Sequence, residues 1–215
     1  MKIRKNYLET SVLLLLFFLL TWMVTNVDVK PIGPEGSVIG LSTLNRQVFE
    51  TIGVHLIWYT ITDWLGILPI LIAFGFAILG LVQVIQRRSL LRVDNDILIL
   101  GCYFVIVVAA YLFFEMYIIN YRPVILQEGL EASFPSSHTM IVLCIMAAAI
   151  EQFRRRINQP KLRWCVCFVS CAIIAVTIIG RLVSGVHWMT DIVAGVLLGT
   201  ALFSLYLSFV KEYNK

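Results

Sequence analysis

The chain has 215 residues, of which 60% are hydrophobic and 14% are charged, and its mean hydropathy is +0.88. Soluble domains usually carry about 25% charged residues, so this composition excludes an ordinary soluble protein and indicates an integral membrane protein. The net charge of +4 does not indicate a nucleic-acid-binding protein. The basic residues lie at the ends of apolar segments, where they act as topology determinants.

The apolar segments predict six transmembrane helices, since one spanning helix needs about 20 residues. The first follows a basic amino terminus and precedes no small-residue cleavage site, which favours an uncleaved span over a signal peptide. We therefore predict an all-α polytopic membrane protein with a single domain over residues 1–215. The predicted spans cover residues 8–27, 64–86, 96–119, 137–153, 163–182 and 187–210.

Residues 41–63, between the first two predicted spans, have mixed polarity. Bulky apolar side chains are interleaved with polar ones, a pattern that favours a helix lying at the membrane surface. A helix buried in a loop explains the same pattern equally well.

The basic residues predict the orientation of the chain in the membrane. Three precede the first span, three separate the second and third, five separate the fourth and fifth, and two follow the sixth, so 13 of the 17 lie on one side. By the positive-inside rule both termini are cytoplasmic. The loops at 120–136 and 180–187 are then extracytoplasmic.

Polar groups in these two loops and in the spans after them suggest function, because such groups are costly near membrane depth. His187 and Asp191 are four residues apart, which places two side chains on one face of a helix. A carboxylate there fixes the imidazole tautomer and leaves the other ring nitrogen free to attack. The structural alternative is a histidine at a helix start with an ordinary capping or interhelical partner.

A second polar group precedes the fourth span. Ser136 and Ser137 are typical of a helix N-terminus, where free amides favour an anion such as phosphate, although a plain helix cap has the same pattern. His138 follows and is suited to protonate a leaving group. Arg122 and Arg181 are planar forks that suit phosphate oxygens, or cations that snorkel at a membrane boundary. Together these groups supply what phosphoryl transfer needs.

Neither a metal nor a cofactor is expected. The five cysteines include no zinc-type pair and have no cluster of other ligands beside them, so we interpret them as small core residues.

Three segments carry a resemblance to a known family. Residues 115–123 are EMYIINYRP, residues 135–138 are PSSH and residues 180–191 are GRLVSGVHWMTD. Their order and internal spacing resemble the motifs K-x6-RP, PSGH and SR-x5-H-x3-D of the type 2 phosphatidic acid phosphatase superfamily. These membrane lipid phosphatases are similar to vanadium haloperoxidases. The resemblance covers all six predicted helices.

The resemblance implies a role for each matching position. His187 would attack phosphorus and form a phosphohistidine, and Asp191 would orient it. His138 would protonate the departing alkoxide and then activate water. The phosphate would be held by Arg122, Arg181 and the amides around Ser136 and Ser137, and no metal would be required.

Three positions depart from the family pattern: Ser137 replaces Gly, Gly180 replaces Ser and Glu115 replaces Lys. Glu115 is the sharpest departure, because a carboxylate repels phosphate. We expect it to modulate the site by pairing with Arg122 or Arg181, or by hydrogen-bonding to a substrate head group. The plain alternative is that it turns aside to water.

The predicted function is a cell-membrane phosphatase whose active site faces the extracytoplasmic side. Its substrate would be a lipid phosphate or pyrophosphate that enters from the bilayer. Undecaprenyl pyrophosphate, phosphatidic acid and phosphatidylglycerophosphate are equally good candidates, and no oligomeric state is predicted. Two alternatives are a phosphotransferase and, because of Glu115, a catalytically impaired lipid-phosphate-binding protein. A small transporter is disfavoured, because the polar groups cluster at one end of the predicted bundle.

Overall fold

The computed structural model describes residues 2–126 and 129–213, with side chains from residue 6 onward. The described residues form helices joined by irregular connections, which confirms the all-α prediction. Two of those connections contain 3-10 turns, at Pro34–Gly36 and Leu90–Arg92. The α-helices are α1 (Lys2–Asn26), α2 (Ser42–Ile52), α3 (Leu56–Leu65), α4 (Ile67–Arg87), α5 (Asn95–Met116), α6 (Ser137–Arg156), α7 (Pro160–Val183) and α8 (Met189–Tyr213).

Five segments of the described chain are long and apolar enough to cross a membrane. They correspond to α1, to α3 and α4 together, and to α5, α7 and α8. Each agrees with a predicted span to within several residues. The remaining predicted span, 137–153, forms α6, whose 20 residues are sufficient in length but more polar in composition. Helix α6 lies inside the bundle, where other helices cover most of its apolar residues.

The segment predicted as one surface helix forms two helices. Helix α2 ends at Gly53, whose φ of 76° is in the left-handed region that glycine adopts without strain. Helix α3 then begins at Leu56 and is followed directly by α4, so that residues Leu56–Arg87 form one apolar segment of 32 residues. Helix α4 agrees with the predicted span 64–86, whereas α3 extends the apolar segment into the region predicted to have mixed polarity.

Helices α6, α7 and α8 form the centre of the bundle, and α1 packs along α8. The close approach of α6 and α8 depends on a small residue. A Cβ atom on Gly195 would lie 2.8 Å from the Ser136 carbonyl oxygen and 3.1 Å from Thr139. This contact holds the first turn of α6 against α8. On the opposite flank, α3 packs against α7.

The two ends of the bundle differ in chemistry. Helix α6 begins with Ser137 and His138 at one end and finishes with Arg154, Arg155 and Arg156 at the other. Arg156 pairs there with Asp96 at the start of α5, at a distance of 2.8 Å. The polar residues singled out in the sequence therefore lie at the end opposite to the arginine-rich turn.

Candidate active site

His187 lies in the connection between α7 and α8, and its ring is buried. Its Nδ1 is 3.2 Å from the carbonyl oxygen of Ser133. A carbonyl oxygen only accepts hydrogen bonds, so Nδ1 carries the proton and Nε2 has the free lone pair. Nε2 is buried and has no hydrogen-bond partner among the described residues. The ring is therefore fixed with an unshared nucleophilic nitrogen.

Asp191 is close to His187, but the geometry differs from the predicted one. Helix α8 begins at Met189, so His187 precedes the helix instead of sharing a face with Asp191. The Asp191 Oδ2 atom is 3.7 Å from Nδ1 and accepts a hydrogen bond of 2.9 Å from the backbone N–H of Trp188. Asn120 donates to Oδ1 at 3.4 Å. Asp191 thus acts on the imidazole through its charge, while the Ser133 carbonyl makes the direct hydrogen bond.

The start of α6 offers hydrogen-bond donors, but not all of those expected. The Ser136 backbone N–H donates to the Asp191 carbonyl oxygen at 2.9 Å, so this amide is not available to an anion. Its hydroxyl is buried without a partner among the described residues, as is the Thr139 hydroxyl in the first turn of α6. The first-turn N–H groups, including those of Ser137 and His138, have no acceptor within the helix.

Arg122 is held by the loop that joins α5 to α6. The backbone N–H of Arg122 donates to the Glu131 carbonyl oxygen, and Tyr121 pairs with Ala132 in an isolated antiparallel bridge. The Arg122 Nε atom consequently lies 3.1 Å from a carboxylate oxygen of Glu131. Its Nη1 atom is buried without a partner among the described residues. The loop thus orients a guanidinium that retains a free donor.

Arg181, near the end of α7, is completely buried. One terminal nitrogen donates to Asp63 Oδ1 at 3.1 Å, and the guanidinium lies 4.8 Å from the centre of the Tyr59 ring, a cation–π contact. Its Nε and Nη1 atoms have no partner among the described residues. Both contacts come from α3, which packs against α7.

Asp63 also contacts His138. The same oxygen that accepts from Arg181 is 3.0 Å from His138 Nε2. Roughly one third of the His138 side chain is exposed, whereas His187 is almost fully buried. His138 therefore stands at the entrance of the site and His187 at its base. The shared Asp63 oxygen brings His138 and Arg181 to the same side of the site.

Residues of the site carry buried polar atoms that have no hydrogen-bond partner in the described part of the chain. The set consists of His187 Nε2, Arg122 Nε and Nη1, Arg181 Nε and Nη1, the hydroxyls of Ser133, Ser136 and Thr139, and one carboxylate oxygen of Glu131. A buried polar group without a partner costs about 1–3 kcal/mol, so such a concentration needs an explanation. A tetrahedral oxyanion would satisfy the donors and meet the nucleophilic nitrogen.

Sequence reasoning missed four residues that complete this arrangement: Asp63, Tyr59, Asn120 and Glu131. Asp63 and Tyr59 lie more than 100 residues before Arg181, in the segment interpreted as a surface helix, and no local pattern connects them to the site. Asn120 and Glu131 lie in the loop between α5 and α6, close in sequence to Arg122. The loop's polarity was visible, but its fold was not.

The three departures from the family pattern occupy different surroundings. The carboxylates that the structure places beside Arg122 and Arg181 are those of Glu131 and Asp63, so Glu115 does not form the ion pair expected of it. Glu115 is exposed and lines a small depression that Ser137 also lines.

Gly180, which replaces the family serine, has a packing reason. A Cβ atom at this position would lie 2.5 Å from Cγ2 of Thr62 and 3.2 Å from the Trp58 ring. Glycine therefore permits the close approach of α3 to α7 that brings Asp63 to Arg181.

No group of three or more His, Cys, Asp and Glu side chains in the described chain is arranged to hold a metal ion. The fixed cations of the site are instead the two arginines, Arg122 and Arg181. They suit an anionic ligand.

Comparison with known proteins agrees with this geometry. The fold is similar to a crystal structure described as the first transmembrane PAP2-type phosphatidylglycerolphosphate phosphatase from Bacillus subtilis. The TM-score is 0.66 at 19% sequence identity, over 95% of this chain and 96% of that chain. A comparison with curated proteins finds no match. The family model of the PAP2 superfamily matches residues 98–215, more than half of the chain. The chain therefore belongs to the PAP2 superfamily.

Proposed function

We propose that this protein is a membrane phosphatase that hydrolyses lipid phosphates or lipid pyrophosphates, with His187 as the nucleophile. The observation that carries the proposal is the buried, unshared Nε2 of His187 among donors from Arg122, Arg181 and Ser136. Membership of the PAP2 superfamily and the fold shared with a lipid phosphate phosphatase support the same reaction class.

The first proposed step transfers the phosphoryl group to the protein. The His187 Nε2 lone pair attacks phosphorus, and the bond from phosphorus to the lipid oxygen breaks. Protonated His138 gives its proton to that oxygen, so the lipid leaves as an alcohol or, from a pyrophosphate, as a monophosphate. The positive charge that develops on His187 is stabilised by Asp191, and the charge on phosphate by the two arginines.

The second step releases phosphate. His138, now neutral, takes a proton from water while the water oxygen attacks phosphorus and the bond from phosphorus to Nε2 breaks. Inorganic phosphate leaves, and both histidines return to their initial protonation states. The partial exposure of His138 gives water access to this position, whereas the buried His187 is shielded from it.

The substrate is proposed to be a lipid whose head group reaches the end of the bundle where α3, α6 and α7 meet. Undecaprenyl pyrophosphate, phosphatidic acid and phosphatidylglycerophosphate all satisfy this requirement. The neighbour from Bacillus subtilis is described as a phosphatidylglycerolphosphate phosphatase, which makes phosphatidylglycerophosphate the first lipid to test. We also propose that this end faces the extracytoplasmic side, because the arginine-rich turns lie at the opposite end.

Release of inorganic phosphate by the purified protein in detergent, from a panel of these three lipids, tests the proposal. We expect release from at least one lipid, and no loss of activity in EDTA, because arginines and amides supply the positive charge. Absence of release from a folded protein would favour the phosphotransferase or the impaired binding protein. Inhibition by EDTA that magnesium or zinc reverses would contradict the metal-free mechanism.

The orientation is testable separately. In a background without native cysteines, a cysteine at Ile125 in the α5–α6 loop is expected to react with an impermeant reagent added outside. A cysteine at Gln159, in the turn between α6 and α7, is expected to be protected. The reverse pattern would place the site in the cytoplasm without changing the proposed chemistry.

A further inference from the structure

The end of the bundle opposite to the candidate active site contains a cavity of about 580 Å³ at the turn between α6 and α7. Its lining residue on α6, Arg154, is 16 residues after His138, which is about 24 Å along the helix at 1.5 Å per residue. The cavity is therefore separate from the site described above. Its lining residues are Arg154, Pro160, Lys161, Arg163, Trp164 and Cys167.

The cations of this cavity lack acidic partners. Within the described chain, no carboxylate lies within 4 Å of Arg154, Lys161 or Arg163, whereas their neighbours are paired. Arg155 is 2.7 Å from Glu151, and Arg156 is 2.8 Å from Asp96. The turn thus keeps three positive charges uncompensated while its other two are neutralised locally.

The start of α7 adds to this positive potential. Gln159, at the N-cap, makes no side-chain capping hydrogen bond, and the first turn of α7 contains no acidic residue. Helix N-termini carry a partial positive charge and favour anions, so Lys161 and Arg163 stand where cations are unfavourable. An anion in the cavity would offset both the side-chain charges and the exposed N–H groups.

An apolar surface continues from the cavity along α7. Trp164 is 69% exposed and stacks on Phe168, itself 59% exposed, with 5.4 Å between ring centres. Helix α7 is one of the candidate spans, so this aromatic pair faces the lipid near the membrane boundary. A ligand with an anionic head and an apolar chain matches the cavity and the adjoining surface together.

We propose that the cavity at the α6–α7 turn binds the head group of an anionic phospholipid, in the leaflet opposite to the candidate active site. Basic pockets between transmembrane helices bind such head groups by this combination of charge and shape. The phosphate would lie among Arg154, Lys161 and Arg163, and one acyl chain along Trp164 and Phe168. The proposal is independent of the enzymatic function.

The competing explanation is that these cations only set the topology and attract anionic lipid diffusely. Native mass spectrometry of the full-length protein, purified in detergent and mixed with phosphatidylglycerol or phosphatidylcholine, separates the two. We expect the wild type to retain phosphatidylglycerol about 10-fold more than phosphatidylcholine, which by the usual relation corresponds to about 1.4 kcal/mol.

Two double variants remove the same charge from two turns at the same end of the bundle. Lys161→Gln with Arg163→Gln is expected to lower phosphatidylglycerol retention to the level of phosphatidylcholine. Arg88→Gln with Arg92→Gln, at exposed residues between α4 and α5, is expected to leave retention unchanged. Equal losses in both variants, or no loss in either, would overturn the proposal. If the Lys161→Gln, Arg163→Gln protein does not fold, Arg154→Gln on α6 replaces it, and loss of phosphatidylglycerol retention is again the expected result.

Discussion

Two parts of this chain contribute to the candidate active site in different ways. Residues 98–215, which match the PAP2 superfamily, supply both histidines, both arginines, Asp191 and the start of α6. Residues 2–97 lie outside that match, yet α3 supplies Asp63 and Tyr59, which contact Arg181 and His138. The matched part holds the groups proposed to react, and the preceding part holds two of them in place.

The two parts of the chain differ in how strictly the chemistry of their site residues is determined. A nucleophile or phosphate clamp must have one particular chemistry, which keeps it recognisable as a motif. A positioning residue needs only to bring a carboxylate or an aromatic ring to the correct place, and several helices of different sequence can do so. Variants in the two parts should therefore fail in different ways, and the predictions below test that expectation.

The largest effect is expected for His187→Ala, which removes the proposed nucleophile. Phosphate release should fall to background with every lipid phosphate, and also with an activated aryl phosphate, since no leaving group compensates for a missing nucleophile. The measurement is the initial rate of phosphate release by purified protein.

His55→Ala is the matched control. This third histidine is exposed, and its ring contacts the Ile52 carbonyl oxygen outside the site. It should retain wild-type activity. Substantial turnover by His187→Ala, with the variant folded, would rule out the phosphohistidine mechanism.

His138→Ala is expected to slow the hydrolysis of lipid phosphates by about 10²–10⁴-fold, the usual contribution of general acid–base catalysis. In the first turnover, measured as the burst of released alcohol, the loss should be much smaller with an aryl phosphate, because its leaving group needs no proton. The second step, in which His138 activates water, should slow for both substrates. The measurement is the ratio of the wild-type rate to the His138→Ala rate, determined separately for the lipid phosphate and for the aryl phosphate. An equal loss in the first turnover of both substrates would assign His138 to phosphate binding instead of proton transfer to the leaving group.

Asp63→Asn tests the contribution of the unmatched part. Its carboxylate contacts both His138 and Arg181, so in the proposed mechanism it would orient His138 and compete with phosphate for Arg181. We expect kcat on lipid phosphates to fall about 10-fold, equivalent to 1.4 kcal/mol, while KM stays constant or decreases. Steady-state kinetics on one lipid phosphate measure both values.

Glu50→Gln is the control for loss of a carboxylate, because Glu50 forms only an exposed pair with Arg46. In the double variant Asp63→Asn, His138→Ala, the effects should not add, since Asp63 acts through His138. Additive losses would show that Asp63 acts on the reaction independently of His138.

These effects also mark the limit of inference from sequence. The apolar runs predicted the spanning helices, and the residue types of the three motifs predicted the polar cluster, because both signals are local. The partners of those residues were not predictable in the same way. The pairing of Asp63 with Arg181 joins positions 118 residues apart and exists only because α3 packs on α7. The use of the Ser136 amide by the Asp191 carbonyl likewise depends on how α6 meets α8.

A smaller effect is expected for Gly180→Ser, which restores the family residue. The new Cβ atom would meet Thr62, so α3 must shift away from α7. Overpacking of this kind costs about 1–3 kcal/mol, and we expect a lower unfolding temperature and a several-fold lower kcat. Thermal unfolding in detergent and steady-state kinetics report the two effects.

Thr62→Ser removes the methyl group that clashes and keeps the hydroxyl, so it should partly rescue Gly180→Ser. Gly75→Ser is the control for a serine in a spanning helix, because a Cβ atom there meets nothing within 4 Å. A Gly180→Ser protein as stable and active as the wild type would mean that the close packing of α3 on α7 is not required.

The smallest effect is expected for Glu115→Gln. Glu115 is exposed, and the site arginines are paired with Glu131 and Asp63 instead. Loss of its charge should therefore change kcat/KM by no more than about twofold, the range of an exposed charge.

Glu115→Lys is more informative, because Glu115 and Ser137 line the same depression beside the first turn of α6. A lysine there would add a cation near the proposed phosphate position, and KM for one lipid phosphate should decrease by a few-fold with kcat unchanged. An unaltered KM would show that position 115 does not border the phosphate in this protein. The family lysine would then have no counterpart here, and Arg122 and Arg181 would be the side chains that bind phosphate.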